Sequence, residues 1–118
     1  MKKLLLLALA ALCLMAAPAH AYPAKQMLKW CELAIEAKDP PDHFAEGTCY
    51  GTVDAILNLG DMLDPRMQIC APQGVTITDG VRVVVVGMKQ LSAFPNGLDQ
   101  EFVVVASAVL RHTWPCHH

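Results

Sequence analysis

The chain has 118 residues, with 9 Lys and Arg against 11 Asp and Glu and a formal net charge of −2. This length allows one domain and excludes a large cofactor fold with a separate substrate domain. No basic run longer than Lys2-Lys3 occurs, which argues against a nucleic-acid-binding protein. The apolar content of 54% is too high for a disordered chain.

The first 21 residues have the pattern of a secretory signal peptide. Lys2 and Lys3 precede an apolar run over 4–17, and Ala19 and Ala21 form the small-x-small end at which signal peptides are cleaved. The run is shorter than the ~20 residues that a membrane-spanning helix needs. We therefore expect export to the periplasm with no membrane contact after cleavage. Cleavage after Ala21 leaves a single domain, 22–118, with a net charge of −4.

Four cysteines remain in the exported chain, at positions 31, 49, 70 and 116. An even number of cysteines in a small exported domain predicts disulfides. No Cys-x-x-Cys pair is present, and the spacing does not suit a zinc site. Cys31 lies nine residues before Pro40 and Cys49 nine residues after it, which places the two at one height in a helical hairpin. Of the three pairings that four cysteines allow, this favours Cys31–Cys49 with Cys70–Cys116.

The first half of the exported chain predicts two amphipathic helices. Apolar residues recur at helical spacing over 24–38, and the Asp-Pro-Pro-Asp stretch at 39–42 interrupts the pattern. Asp42 is a suitable N-cap for a second helix over about 43–59. Gly51 and Ala55 leave one face of this helix bare, from which we expect close approach of another backbone.

The second half begins with a predicted loop at 60–75, rich in Gly, Asp and Pro. Residues 76–91 have two interpretations: the valine run favours a strand, whereas Thr76 and Asp79 form a capping-box pattern that opens a helix. A last helix is predicted over 99–113. Its inward stripe is predicted to be Phe102, Val103, Ala106, Val109, Leu110 and Thr113.

The residue types that perform catalysis are present but not in a catalytic pattern. His43 and His112 lie near predicted helix ends and are expected to be solvated or capping residues. No nucleophile elbow and no glycine-rich phosphate loop occur. The terminal Cys-His-His at 116–118 could bind copper or nickel, but a tethered cysteine followed by a frayed tail is the favoured interpretation. The sequence predicts neither an enzyme nor a cofactor.

The cysteine frame resembles that of a known family. The resemblance is carried by the Cys-Tyr-Gly-Thr-Val-Asp-Ala segment at 49–55 and the Cys-Ala-Pro-Gln-Gly-Val-Thr segment at 70–76. A valine-rich segment, the Phe94-Pro95 turn and a Trp-Pro-Cys ending at 114–116 follow in the same order. The family is the Rap/Tai group of type VI secretion immunity proteins.

This resemblance implies an all-α fold, a small four-helix bundle of the HdeA type stapled by two disulfides, in which the valine-rich segment is a helix. It implies a periplasmic immunity protein, often a homodimer, that binds an injected peptidoglycan amidase and occludes its active-site cleft. The alternative function is that of a small periplasmic chaperone or stress protein of the HdeA type.

An occluding inhibitor needs a protruding segment that is ordered before contact, because ordering it on binding costs affinity. The predicted loop at 61–68 fits this description and is our first candidate surface. The turn at 92–98 is the second. The candidate contact residues are Asp61, Asp64, Arg66 and Met67, with Met62, in the first surface, and Phe94 and Asn96 in the second.

Overall fold

The computed structural model describes residues 1–5, 21–36 and 42–117. Within 21–36 and 42–117 it contains four α-helices and one short 3₁₀ helix. The α-helices are α1 (Ala24–Glu36), α2 (His43–Leu59), α3 (Ile77–Leu91) and α4 (Phe102–Thr113), and the 3₁₀ helix is Gly60–Met62. Extended pairing in these ranges consists of two isolated bridges, Pro23 with Glu101 and Ile69 with Pro115. The all-α prediction is confirmed.

The first two helices follow the sequence prediction closely. Ala24, Met27 and Cys31 of α1 are buried. The Asp42 carboxylate accepts from the backbone N–H of Phe44 at 3.0 Å and of Ala45 at 3.1 Å. This is the predicted N-cap, and α2 starts directly after it. The prolines at 40 and 41, which were predicted to separate the helices, lie outside the described residues.

The valine-rich segment is a helix, and its N-terminal cap shows why. The Thr76 hydroxyl accepts from the Asp79 N–H at 3.1 Å, and the Asp79 carboxylate accepts from the Thr76 N–H at 2.9 Å. In this reciprocal capping box both backbone N–H groups have acceptors within the same short segment. In a strand they would need acceptors on a neighbouring strand. Val81, Val84 and Met88 then point into the core with almost no exposed area.

The pKa of the Asp79 carboxyl is lowered, first by the backbone N–H of Thr76 and then by the Thr76 hydroxyl. A folded-state pKa below the unfolded value means that this carboxylate stabilises the fold above about pH 4, its ordinary pKa range. The contribution is lost as the pH falls through the folded value.

We expect Asp79→Asn to lower the melting temperature at pH 7, and the difference from wild type to shrink as the pH falls toward 2 and the wild-type carboxylate takes up its proton. Melting curves between pH 7 and pH 2 measure this difference. Asp99→Asn, at an exposed position outside the helices, is the control. An equal loss of stability at both pH values would contradict the role of the ionised carboxylate.

Helix α4 departs from the prediction in two ways. It starts at Phe102 rather than near Asp99, because the backbone before it pairs with the N-terminal segment: Ala24 donates its N–H to the Gln100 carbonyl at 2.9 Å. The Phe102 N–H in turn donates to the Tyr22 carbonyl at 3.0 Å. The predicted stripe also had two wrong members, since Val103 is 42% exposed and Thr113 is exposed too, whereas Val105 is buried.

Two glycines of α3 allow it to approach its neighbours closely. A Cβ at Gly80 would lie 2.9 Å from a methyl group of Leu57 on α2, and one at Gly87 would overlap the Val109 side chain on α4. The expectation of a close backbone approach at Gly51 was wrong. Nothing lies within 4 Å of the position where its Cβ would be, because that face of α2 points outward.

The two disulfides have the predicted pairing. Cys31 and Cys49 join α1 to α2 with their Cα atoms 5.5 Å apart, and both are fully buried. Cys70 and Cys116, with Cα atoms 5.0 Å apart, join the segment after α2 to the tail after α4. The first helix and the C-terminal tail are therefore each tied covalently to a segment nearer the middle of the chain.

The aromatic residues are divided between the core and the surface. Phe102 is buried, and Trp30 and Tyr50 pack partly buried against the core. Phe44 is 62% exposed and lies with Tyr22 and Trp30 in a cluster whose ring centroids are 5.0–6.4 Å apart.

Among the described ranges, no helix combines the length and hydropathy needed to cross a bilayer.

Candidate functional site

The segment 61–68, here called the binding loop because it is the first candidate surface, starts within the 3₁₀ helix that follows α2, and one carboxylate organises its tip. Asp64 accepts from the Arg66 backbone N–H at 3.0 Å and from the Arg66 Nε at 3.2 Å. The Met67 N–H donates to the Asp64 carbonyl at 2.7 Å, which closes the turn. The backbone and side-chain hydrogen bonds from Arg66 lower the pKa of the Asp64 carboxyl, so it is ionised at neutral pH.

A residue far away in sequence fixes the loop to the bundle. Arg111 of α4 donates from Nη1 to the Arg66 carbonyl at 2.9 Å, and the same nitrogen lies 3.4 Å from the Met67 Sδ. Gln68 donates from Nε2 to the Asp61 carbonyl at 3.1 Å, across the base of the loop. These contacts hold the loop in the conformation that the structure shows.

The base of the binding loop is held by backbone pairing and by the second disulfide. Ile69 is buried and donates its N–H to the Gly60 carbonyl at 3.2 Å. The Cys70 N–H donates to the Trp114 carbonyl at 2.9 Å, beside the Cys70–Cys116 disulfide. The loop is therefore clamped to the C-terminal tail at the point where it leaves the surface.

The side chains at the tip of the binding loop point into solvent. The exposed fraction is 89% for the Arg66 side chain and 53% for that of Asp64. Met62 and Met67 are exposed as well. The loop thus presents a carboxylate, a guanidinium and two adaptable thioethers on a segment whose two ends are tied to the bundle. This is a suitable composition for a protein interface.

The second predicted surface forms part of an apolar groove between α3 and α4. Phe94 lines this groove and is 66% exposed, whereas Asn96 occupies the turn with a positive φ of 60°. The groove has a volume of about 660 Å³. Its lining consists of Val83, Val86, Gly87, Leu91, Phe94, Ala108 and Val109, with the polar residues Arg82, Gln90, His112 and Thr113.

The structure brings the loop candidates together and separates them from the turn candidates. Asp61, Asp64, Arg66 and Met67 share one loop, and Phe94 and Asn96 belong to another. Sequence reasoning missed Arg111 as the anchor of the binding loop. It also missed the groove, although the valines of α3 that do not fit its inward stripe were a visible signal. Metal ligation gains no support from the described residues, in which no three His, Cys, Asp or Glu side chains cluster suitably.

Fold and surface together define a small disulfide-bonded helical protein with an exposed loop that hydrogen bonds and a disulfide hold against the bundle. The chain belongs to the Rap1a immunity proteins, whose family model matches residues 23–116. An immunity protein acts by binding a toxin, so the chain is an immunity protein with a toxin effector as its partner. Neither a curated protein nor a solved structure gave a match.

Proposed function

We propose that this immunity protein is exported to the periplasm and binds a peptidoglycan amidase injected by a type VI secretion system. Export is supported by the basic start, apolar run and small-x-small end of residues 1–21. Two disulfides in a domain of this size are typical of an oxidising compartment. The amidase as target is supported by the motif resemblance around the cysteines.

The binding loop blocks the amidase cleft in this proposal, and the contacts that hold the loop against the bundle are the observation that supports it. Arg111, the Asp64–Arg66 turn and the Cys70–Cys116 disulfide already hold the loop in place. Little conformational entropy is then lost on binding, and more of the contact energy appears as affinity. The ionised Asp64 suits a cleft in which a catalytic histidine carries positive charge.

The test is the double substitution Asp64→Ala with Arg66→Ala, assayed for inhibition of a small secreted amidase encoded beside this chain. We expect inhibition to weaken about 100-fold, because both residues are exposed contact groups at the centre of the loop. Co-expression in the periplasm, with lysis as the readout, checks the same variant in cells.

The matched control is Glu32→Ala with Lys89→Ala. It removes one negative and one positive charge from a partly exposed ion pair, with Lys89 Nζ 3.1 Å from Glu32 Oε1, that joins α1 to α3. Such a pair contributes at most about 1 kcal/mol, so this variant should fold and inhibit normally. Full inhibition by a normally folded loop variant would exclude the binding loop and leave Phe94 and Asn96 as the candidate contacts.

We further propose that the chain forms a homodimer through the groove between α3 and α4. Val86 is 56% exposed there, Phe94 is similarly exposed, and the lining contains few polar atoms. A contiguous apolar patch of this kind is typical of an interface. In a twofold dimer the same patch serves both copies, so one groove per chain is sufficient.

Val86→Glu is expected to convert the dimer to monomer at micromolar concentration, because a buried unpaired carboxylate weakens association by about 100-fold. Light scattering coupled to size exclusion measures the mass. Val103→Glu is the control, since Val103 is a comparably exposed valine of α4 that does not line the groove. A monomeric wild-type protein, or a dimer that survives Val86→Glu, would contradict this surface.

A further inference from the structure

The methionines of the proposed exported chain fall into two groups. Met62 and Met67 lie in the binding loop with exposed fractions of 77% and 50%. Met27 and Met88 lie in the core with none. An oxidant dissolved in the surrounding water therefore meets the first two sulfur atoms and not the other two.

We propose that Met62 and Met67 form a reversible oxidation site. Oxidation makes the apolar part of the binding loop polar and lowers its affinity for the partner. This inference rests on the proposed function of the loop. The oxidant is a hydroperoxide such as hydrogen peroxide.

The chemistry is a two-electron oxygen transfer to each thioether. A lone pair of Sδ attacks one oxygen of the peroxide, an S–O bond forms and the O–O bond breaks. The sulfur is oxidised to the sulfoxide, and the peroxide is reduced to water. Methionine sulfoxide reductases reverse the reaction, so the change is not permanent.

The surroundings of Met67 allow the loop to remain folded after oxidation. Its Sδ already lies 3.4 Å from the Arg111 Nη1, as a weak acceptor. A sulfoxide oxygen is a much stronger acceptor, and the guanidinium also holds the Arg66 carbonyl at 2.9 Å. Oxidation thus keeps the anchor of the loop while it removes the apolar contact that a partner would bury.

The first experiment locates the modification. The purified exported chain, 22–118, is treated with graded hydrogen peroxide, digested and mapped by mass spectrometry. We expect Met62 to be oxidised fastest and Met67 next, because Arg111 partly shields its sulfur. Both should react at least about tenfold faster than Met27 and Met88. Equal rates at all four positions would overturn the site.

The second experiment measures the consequence. Oxidised protein should keep its melting temperature within about 2 °C but inhibit the amidase at least about tenfold more weakly, with recovery after treatment by methionine sulfoxide reductase. Met62→Leu with Met67→Leu should inhibit to the same degree before and after peroxide, whatever its starting affinity, whereas Met62→Gln with Met67→Gln should reproduce the weaker inhibition of the oxidised protein. Unchanged inhibition by the doubly oxidised protein would overturn the proposal.

The two proposals fail in different ways. If the untreated protein does not inhibit the amidase, the proposed function of the loop is wrong, and the peptide map with its reversal still decides whether the oxidation site exists. If the untreated protein inhibits and the oxidised protein inhibits equally well, only the regulatory proposal is wrong.

Discussion

Replacing Cys70 and Cys116 together by alanine is expected to lower the free energy of unfolding by about 4 kcal/mol. The disulfide closes a loop of 46 residues, and the loss of that constraint gives the unfolded chain much more freedom. In the folded protein the same bond clamps the base of the binding loop to the tail. We therefore expect the variant to lose both stability and order at the loop.

Thermal melting should show a fall of about 15 °C or more for a domain of this size. Hydrogen exchange at the amide of residue 70, whose N–H donates to the Trp114 carbonyl, reports release of the tail. The comparison variant is Cys31→Ala with Cys49→Ala, which removes a shorter loop of 18 residues and is expected to cost about 3 kcal/mol plus a cavity term. This comparison variant should leave the amide of residue 70 protected from exchange. An unchanged melting temperature for the first variant would show that the second disulfide does not constrain the fold.

Gly97→Ala is expected to destabilise the protein by about 3 kcal/mol or more. A Cβ at this position would overlap the carbonyl oxygen of Leu91 and lie 2.8 Å from its carbonyl carbon. The obstacle is backbone at the end of α3, which cannot rotate away as a side chain can, so the whole turn must shift. Urea unfolding measures the loss of stability.

Gly51→Ala makes the same chemical change with the opposite expected sign. Gly51 lies inside α2 with open space where a Cβ would be, and alanine is the better helix former by about 1 kcal/mol. We expect a small gain in stability. If both substitutions shifted stability in the same direction, the close packing at Gly97 would not be the cause.

The helices whose predictions succeeded have strong local signals at their N-termini. Asp42 before α2 and the Thr76–Asp79 pair before α3 mark helix starts through hydrogen bonds that span only two or three residues. Such contacts are readable in sequence because both partners are close together in the chain. The valine run alone left strand and helix open, and the capping box agrees with the outcome that the structure shows.

The errors arose where distant segments decide the local structure. The start of α4 is set by the segment at 22–24, about 80 residues earlier, which pairs with Gln100 and Phe102. The choice between Val103 and Val105 as the buried residue follows from how α4 is rotated in the bundle. No pattern within 99–113 contains that information.

The candidate site could be predicted only in part, because some of its features have a local signal in the sequence and others do not. Turn residues placed the binding loop between α2 and α3, because Gly, Asp and Pro favour turns wherever they occur. The contact between Arg111 and the Arg66 carbonyl joins residues 45 positions apart and has no local signature. The groove depends on the outer faces of two helices, which only the packed bundle brings side by side.

The order of the disulfides along the chain affects how the protein matures. The pairs 31–49 and 70–116 follow one another and neither overlap nor nest. A chain that crosses a membrane with its N-terminus leading presents Cys31 and Cys49 before either of the other two. Under the export that we propose, an oxidase that joins cysteines as they emerge would form the native pairs directly, and no disulfide isomerase would be needed.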